Sequence, residues 1–177
     1  MPPSSAAFPI STLASYSQQW ARSVAQPHTR SRVSTTLPQT TNLLLQCGEE
    51  ALRTPADSIP SLQPLRAVKE LHRETADRLQ VDNATRGEVE ALLTQLQQLL
   101  VGISIMQDLT PRAKDSLVSF GERLSTRLFA ALLNSAGVPA MQHDAPKIGF
   151  MSNDNFTNAD INYETTLPAV KVTLFKP

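Results

Sequence analysis

Few side chains in this 177-residue chain belong to the types that carry out chemistry, and most of them stand apart from one another. The histidines His28, His72 and His143 show neither HxxxH nor HExxH spacing, so each is interpreted as a surface or half-buried residue rather than a metal ligand. Cys47, the single cysteine, excludes an internal disulfide and fits a reducing compartment. No pattern of Cys, His and Asp indicates a nucleophile, and no glycine-rich turn predicts a phosphate-binding cradle.

One carboxylate stands out because of its neighbour. Gly121 precedes Glu122, and a glycine lets another backbone or a ligand approach closely. Both lie within residues 116–133, where apolar side chains recur at helical spacing. From residue type alone, Glu122 is interpreted as a solvated acid on a helix surface or as an ion-pair partner of Arg123 or Arg127.

The elements that must position these residues follow from hydrophobic periodicity. Apolar residues recur every three or four positions in four stretches, which predicts four amphipathic helices. The predicted helices lie near residues 42–53, 65–79, 85–107 and 111–136. Thr41 or Asn42 is the predicted N-cap of the first helix, and Pro64 suits the first turn of the second. Thr110 is the predicted N-cap of the fourth helix, and Gly137 is its stop signal.

After the fourth helix the pattern shortens. Residues 138–143 and 148–152 are predicted as short strands on either side of a turn at residues 144–146. A long helix that leads into short strands indicates an α/β layered domain rather than a helical bundle. The predicted strands are too few to build a sheet by themselves.

Five overlapping or neighbouring segments resemble one known family. They are TTNLLL at 40–45, AVKELHRETADRL at 67–79, LLVGISIMQDLTPRAKDSLVSFGE at 99–122, SLVSFGERLSTRLFAALL at 116–133, and AGVPAMQHDAPKIGFMSNDNFTNADI at 136–161. Together they resemble the aspartate kinases, especially the lysine-sensitive monofunctional enzymes of plants and green algae. The hallmark of that family is a Ser-(Phe/His)-Gly-Glu segment that opens a long helix, followed by an Ala-Gly-Val turn and an Asp-Phe-Thr-Asn-Ala-Asp segment. The resemblance covers about residues 33–170.

The resemblance implies a partial amino-acid kinase (carbamate kinase-like) domain of three αβα layers, and the helical periodicity predicts that this part of it is a helix-rich fragment with few strands. Residues 41–177 would be part of the catalytic domain, without its ATP-binding C-terminal half and the regulatory ACT domains. The implied reaction uses ATP and Mg²⁺ to phosphorylate the side-chain carboxylate of L-aspartate, which is the first step of lysine, threonine and methionine synthesis. The carboxylate is itself the nucleophile, so catalysis would consist of positioning and charge neutralisation.

The resemblance also assigns roles to particular residues. Glu122 matches the family glutamate that contacts the amino-acid substrate, and Thr41 matches a threonine that also contacts it. A second group matches the conspicuous family segment and is interpreted as a loop beside the active site, although turn chemistry explains the same residues. That group consists of Asp154, Phe156, Thr157, Asn158 and Asp160.

Three departures from the family pattern leave a second function open. No Lys-Phe-Gly-Gly-Ser or Gly-Arg-Gly-Gly-Ser-Asp segment occurs, and Pro38 and Gln39 stand where the family has glycine and lysine. The alternative is a catalytically inactive relative that acts as a helical interaction module, either as a homo-oligomer or with a full-length kinase subunit. The net charge of +0 gives no reason to expect a nucleic-acid partner, and the apolar runs are too short to predict a membrane partner.

Residues 1–40 differ in composition from the rest of the chain. They are rich in serine, carry three arginines and contain no acidic residue. This composition is typical of an organelle transit peptide, and a disordered tail without a targeting role would share it. The resemblance favours the chloroplast over the mitochondrion or the cytoplasm.

A fluorescent reporter tests this interpretation. A reporter fused behind residues 1–45 is expected to accumulate in plastids of plant cells, because import depends on the composition of the leader rather than on a folded structure. Fluorescence microscopy of the fusion measures its location. A reporter that stays in the cytosol would show that the segment is an untargeted tail.

Overall fold

The computed structural model describes residues 37–153, 155–156 and 159–174, so most of the predicted targeting segment lies outside the described residues. Residues 40–177 belong to one compact unit. Five α-helices and two short 3-10 helices form within the described ranges. The α-helices are α1 (Leu37–Ala51), α2 (Gln63–Arg78), α3 (Asn83–Met106), α4 (Pro111–Ser135) and α5 (Tyr163–Leu174). The 3-10 helices are Ala56–Ser61 and Ala145–Ile148.

The four helices predicted from periodicity are present, and their ends obey the expected capping chemistry. The backbone N–H of Ala113 donates to the side chain of Thr110 at 3.1 Å, which confirms Thr110 as the N-cap of α4. Gly137 follows the end of α4 with a positive φ of 77°, so the predicted stop is also correct. The predicted N-cap of the first helix is wrong: α1 begins at Leu37, which places Thr41 and Asn42 inside the helix.

The core lies where the apolar stripes of α1 to α4 meet. α3 packs against α4, α2 and the 3-10 helix Ala56–Ser61, and Leu117 of α4 lies over Gly48 of α1. The core residues alternate at spacings of three and four along each helix, so each helix turns one continuous face inward. Its fully buried large side chains include Leu44, Ile59, Leu65, Val68, Val89, Leu93, Leu96, Leu100, Ile103, Leu117, Leu124 and Leu128.

By length and composition, α3 is apolar enough to cross a membrane. Its buried residues, which include Leu92, Leu93, Leu96 and Leu100, pack into the core of the helical unit. The central helix of a folded domain needs the same composition as a membrane span, because it too is enclosed on most sides.

The predicted strands at residues 138–143 and 148–152 are wrong for the part of the chain that the structure describes. Residues 145–148 form a 3-10 helix instead, and the pairing found there is a single antiparallel bridge between Ser152 and Ile161. A strand needs a neighbouring strand to satisfy its backbone groups, and the described residues supply one bridging residue pair. The described residues are helix-rich, as predicted for a partial domain, and the two predicted strands are not formed there.

The helix α5 is not among the elements predicted from the sequence. Its N-terminus is closed by Asn162, whose side-chain oxygen accepts from the backbone N–H of Thr165 at 3.2 Å. Thr166 is the buried residue of this helix among those described. Pro168 lies inside α5, which weakened the periodic signal because proline usually ends a helix.

His72 lies on the inner face of α2, with 4% of its surface exposed, and its Nδ1 lies 2.7 Å from the carbonyl oxygen of Val68. Burial lowers the pKa of His72 below its ordinary 6.5, and the hydrogen bond opposes the shift. The unfolded chain therefore binds a proton at this residue at a higher pH than the folded chain does. The resulting contribution to stability is complete above pH 6.5 and is lost as the pH falls below it.

Replacement of His72 by Gln is expected to remove part of the acid sensitivity of folding. Between about pH 7.5 and pH 5.5, the free energy of unfolding of the unmodified chain should fall more steeply, with His72 contributing at most about 1.4 kcal/mol per pH unit. Urea denaturation across this range measures the slope. His143→Gln is the matched control and should retain the slope of the unmodified chain; equal slopes in all three proteins would contradict the assignment.

Candidate functional site

Glu122 lies in the middle of α4 with its side chain exposed. Within the part of the chain that the structure describes, no hydrogen bond or ion pair engages its carboxylate, while its backbone carbonyl accepts from the hydroxyl of Thr126 at 2.9 Å. Arg123 and Arg127, the two ion-pair partners considered from the sequence, both lie against Asp144 instead. The ion-pair interpretation of Glu122 is therefore wrong, and its charge is available to a ligand.

The residue before Glu122 is the point at which α1 meets α4. A Cβ atom built on Gly121 would lie 3.3 Å from Cδ1 of Leu44 and 3.4 Å from Cγ2 of Thr40. Those distances are tight for carbon atoms, so a residue without a side chain is what allows the two helices to approach this closely. The approach places Thr41, the residue after Thr40, on the helix turn that contacts Gly121. Two of the predicted site residues, Thr41 and Glu122, thus lie on helices that are in contact at Gly121.

The second predicted group is only partly described. Asp154, Thr157 and Asn158 lie outside the described residues, whereas Phe156 and Asp160 are exposed. The side chain of Asn153 organises this loop, because its oxygen accepts from the backbone N–H groups of Asn155 at 3.3 Å and Asp160 at 3.1 Å. None of the hydrogen bonds found in the described residues joins this loop to Glu122 or Thr41. Its place in a site stays a prediction.

Sequence reasoning missed a cluster of charged side chains at the far end of α4. The Asp144 side chain, only 6% exposed, receives two hydrogen bonds from the guanidinium of Arg127: Nη1 lies 3.1 Å from Oδ1 and Nη2 lies 3.0 Å from Oδ2. Gln142 donates a further bond to Oδ1 at 2.9 Å. The Arg127 hydrogen bonds and charge hold the pKa of Asp144 well below its usual range, although burial acts in the opposite direction.

A signal for this cluster exists in the sequence. Arg127 falls beside Leu124 and Leu128, on the stripe of α4 that is otherwise apolar, and it is 8% exposed. A charged residue on a buried stripe requires a partner of opposite charge, because an unpaired buried charge is costly. The partner, Asp144, is 17 residues away, beyond the reach of any helical spacing rule.

The cluster borders a cleft of about 430 Å³ between α3, α4 and the segment that follows α4. Arg123, Arg127 and Lys147 contribute positive charge to its lining, and Glu88 and Asp144 contribute negative charge. Glu88 accepts from Nε of Arg127 at 2.9 Å, and Lys147 lies 3.4 Å from Asp144. Most of the charge is therefore paired within the cleft itself.

Cys47 is buried in the core, and desolvation raises the pKa of its thiol to about 12. The thiol therefore stays protonated at physiological pH, which disfavours a role as a nucleophile. At this position Cys47 packs as a small buried apolar side chain.

Comparison with solved structures places this arrangement in a known fold. A crystal structure of Escherichia coli aspartokinase III in complex with lysine and aspartate superposes with a TM-score of 0.67 over 92% of this chain and 35% of that chain, at 23% sequence identity. The helices therefore have the fold of part of an aspartokinase. No protein-family model matches the chain.

Sequence comparison with curated proteins then gives the family. Chloroplastic aspartokinase 2 of Arabidopsis thaliana is 49% identical over 142 residues, which is 80% of this chain and 25% of that protein. Chloroplastic aspartokinase 1 of the same plant is 46% identical over 143 residues, or 81% of this chain and 24% of that protein. Over about four fifths of its length, this chain belongs to the aspartokinase family. It spans about a quarter of the length of these relatives.

Binding of ATP with Mg²⁺ requires ligands for the metal ion and backbone amides for the phosphates. Across the described ranges, no group of three or more His, Cys, Asp or Glu side chains is placed to hold a metal ion. The sequence also has no glycine-rich turn whose amides would converge on a phosphate. The residues present do not fit ATP with Mg²⁺ by themselves, so the roles assigned to them are confined to binding and orienting an amino acid.

The contact at Gly121 can be tested by adding a side chain. Gly121→Val is expected to lower the free energy of unfolding by about 1–3 kcal/mol, because the new methyl groups would meet Leu44 and Thr40 where the helices are already close. Chemical denaturation measures the change. Gly102→Val, at a helical position with no atom within 4 Å of the added Cβ, is the matched control and should be nearly neutral. Equal losses in both variants would show that Gly121 does not control the approach of α1 to α4.

Proposed function

We propose that this chain carries the aspartate-binding part of an aspartokinase. The full reaction transfers the γ-phosphate of ATP to the side-chain carboxylate of L-aspartate and gives 4-phospho-aspartate, which begins lysine, threonine and methionine synthesis. The proposal is supported by the aspartokinase relatives and by the fold shared with the E. coli enzyme that was crystallised with lysine and aspartate. The observation that carries it is the exposed carboxylate of Glu122, which no described residue engages, beside the α1–α4 contact.

The chemistry of the substrate explains why an unpaired carboxylate is needed. Aspartate carries an α-ammonium group, and a protein carboxylate binds this group through a charge-assisted hydrogen bond. A carboxylate already paired with an arginine would have to break that pair first. Arg123 and Arg127 are held at Asp144, so the charge of Glu122 is left for the ligand.

Thr41 is proposed as a second contact to the same amino acid. It is half-buried and lies in α1 directly after Thr40, whose methyl group faces Gly121. A threonine hydroxyl both donates and accepts, so it can bind either the ammonium or a carboxylate oxygen of the substrate. The rigid contact between the two helices would hold the hydroxyl and the Glu122 carboxylate at a constant separation.

A protein segment that only binds and orients the amino acid is sufficient for its part in phosphoryl transfer to a carboxylate. The attacking oxygen is already anionic, so no general base is required and the protein mainly orients the substrate. In the complete enzyme, ATP supplies the phosphoryl group and Mg²⁺ neutralises its charge. The described residues of this chain would bind the amino-acid end of aspartate and thereby direct its side chain toward the phosphoryl donor.

The wider architecture is part of the proposal. The helices α1 to α4 would form an outer layer of a three-layer αβα domain, residues 1–40 would be a transit peptide, and the protein would act in the plastid stroma. The chloroplastic relatives support the location.

A second candidate function has one observation in its favour. Tyr163 and Leu167 of α5, which lie one helical turn apart, are 65% and 54% exposed and together form a small apolar surface. Such a surface suits contact with another protein, such as a full-length kinase subunit or a second copy of this chain. The interaction-module function is therefore kept as the alternative.

Glu122→Gln tests the proposed function directly. The variant is expected to bind L-aspartate about ten- to a hundredfold more weakly, because one charge-assisted hydrogen bond is worth roughly 1.5–3 kcal/mol. Calorimetric titration of the 177-residue chain with aspartate measures the dissociation constant. The melting temperature should change little, since the carboxylate makes no contact within the described residues that the substitution would break.

Glu49→Gln is the control for this experiment, since Glu49 is also an exposed glutamate on a helix and its loss removes the same charge. Aspartate affinity should be the same in this variant as in the unmodified chain. Equal affinity in the unmodified chain and the Glu122 variant would remove Glu122 from the site. No binding by the unmodified chain would favour the interaction-module function.

A further inference from the structure

The segment after α4 is attached to the helical core at a small number of points. The first is at the end of α4, where the side chain of Asn134 donates to the carbonyl of Ala140 at 2.9 Å and accepts from its N–H at 2.8 Å. The second is Asp144, four residues further on. α5 packs on the 3-10 helix Ala145–Ile148. Polar contacts, among them those at Asn134 and Asp144, therefore anchor the beginning of the segment.

The region beyond Asp144 is held together by its own contacts. Gly149, with a φ of 92°, lies so close to α5 that an added Cβ would be 2.4 Å from the Cβ of Ala169. The hydroxyl of Thr166 accepts from the N–H of Met151 at 3.0 Å and donates to its carbonyl at 3.2 Å. These contacts join the two ends of the segment into one small unit, here called the C-terminal segment (the described residues between 145 and 174).

The 3-10 helix that opens this segment starts at Asp144. The N–H of Lys147 donates to the carbonyl of Asp144 at 2.9 Å, so the backbone and the side chain of one residue serve different elements. The backbone begins the C-terminal segment, and the carboxylate is held by Arg127 of α4. A displacement of the carboxylate would therefore move the start of the segment.

Arg127 is itself held from three directions. Besides its two bonds to Asp144, its Nε donates to Glu88 of α3 at 2.9 Å, and its Nη1 donates to the carbonyl of Arg123 at 2.8 Å. The guanidinium is planar and its donors point in set directions, so bonds to α3, α4 and Asp144 together determine its orientation. Lysine could not reproduce this geometry, because its ammonium is a single point of charge.

From these contacts we propose that Asp144 is a positioning residue, which through Arg127 sets the C-terminal segment relative to the helix that bears Glu122. The consequence for ligand binding rests on the proposed function, since Phe156 and Asp160, which belong to the predicted loop beside the active site, lie in this segment. The carboxylate of Asp144 does not touch the substrate. Its effect on aspartate affinity passes through the placement of the segment.

Asp144→Asn tests the proposal, because it keeps the size of the side chain and removes the charge that binds the guanidinium. Amide hydrogen exchange followed by mass spectrometry on the full chain is expected to become about tenfold faster in residues 145–174, with exchange in α3 unchanged. The dissociation constant for L-aspartate should rise about tenfold as the segment loses its orientation. Asp57→Asn, at an exposed aspartate of the first 3-10 helix, is the matched control and should alter neither measurement.

Arg127→Lys provides a second route to the same result, because it keeps a positive charge and loses the two-pronged bond to Asp144. It should speed exchange in the same residues and weaken aspartate binding in the same direction. Faster exchange throughout the chain in both variants would make the pair a general determinant of folding and would overturn the proposal. Unchanged exchange in residues 145–174, or faster exchange there with unchanged aspartate affinity, would also overturn it.

The two proposals fail in different ways. If the unmodified chain binds no aspartate, the proposed function is wrong, and the exchange measurement still decides whether Asp144 holds the C-terminal segment. If the unmodified chain and the Asp144 variant bind aspartate equally well, the proposed function stands and the positioning role of Asp144 is wrong.

Discussion

The burial of α3 is the constraint on which the rest of this structure depends. Its apolar side chains face α2, α4 and the first 3-10 helix at once. Each buried leucine or isoleucine contributes roughly 1.5–3 kcal/mol relative to an exposed one, so a rotation of any neighbouring helix would be costly. This packing sets the rotation of α4 about its axis. Leu124 and Leu128 then face inward, Glu122 faces outward, and Arg127 lies at the edge of the core.

The packing of the helices also decides which charged groups are exposed and which are enclosed, and the two kinds contribute differently to stability. Arg73 and Glu90 form an ion pair at 2.6 Å whose side chains are about half exposed, so it adds little to stability. Arg127 and Asp144 are nearly enclosed, and the cost of removing them from water offsets much of their attraction. Such an enclosed pair fixes the relative position of its two partners, because either charge left alone in the protein interior would be strongly unfavourable. The path of the chain after α4 is determined in this way, while neither Arg123 nor Arg127 pairs with Glu122.

The local rules succeeded where the physical cause is local. The helices α1 to α4 could be predicted because a core-facing stripe such as Leu117, Leu124 and Leu128 repeats with the helical period, and because Thr110 can cap a helix with its own side chain. The strands could not be predicted in this way. Residues 138–143 are predicted as a strand from the sequence, yet a strand is stable only beside a partner strand, and the described residues bring a single pair, Ser152 and Ile161, together.

For the candidate site, the sequence by itself determined the family resemblance and the residue types: a glutamate after a glycine, and a threonine some eighty positions earlier. It could not show that Thr40 and Leu44 meet Gly121, because contacts between distant residues arise only when whole helices pack. Nor could it show which charges pair. Arg123 and Arg127 are the basic residues nearest to Glu122 on the same helix, which made them its candidate partners. The tertiary structure turned both toward Asp144, because the enclosed charge of Arg127 required an opposite charge and the chain after α4 brought one within 3.0 Å.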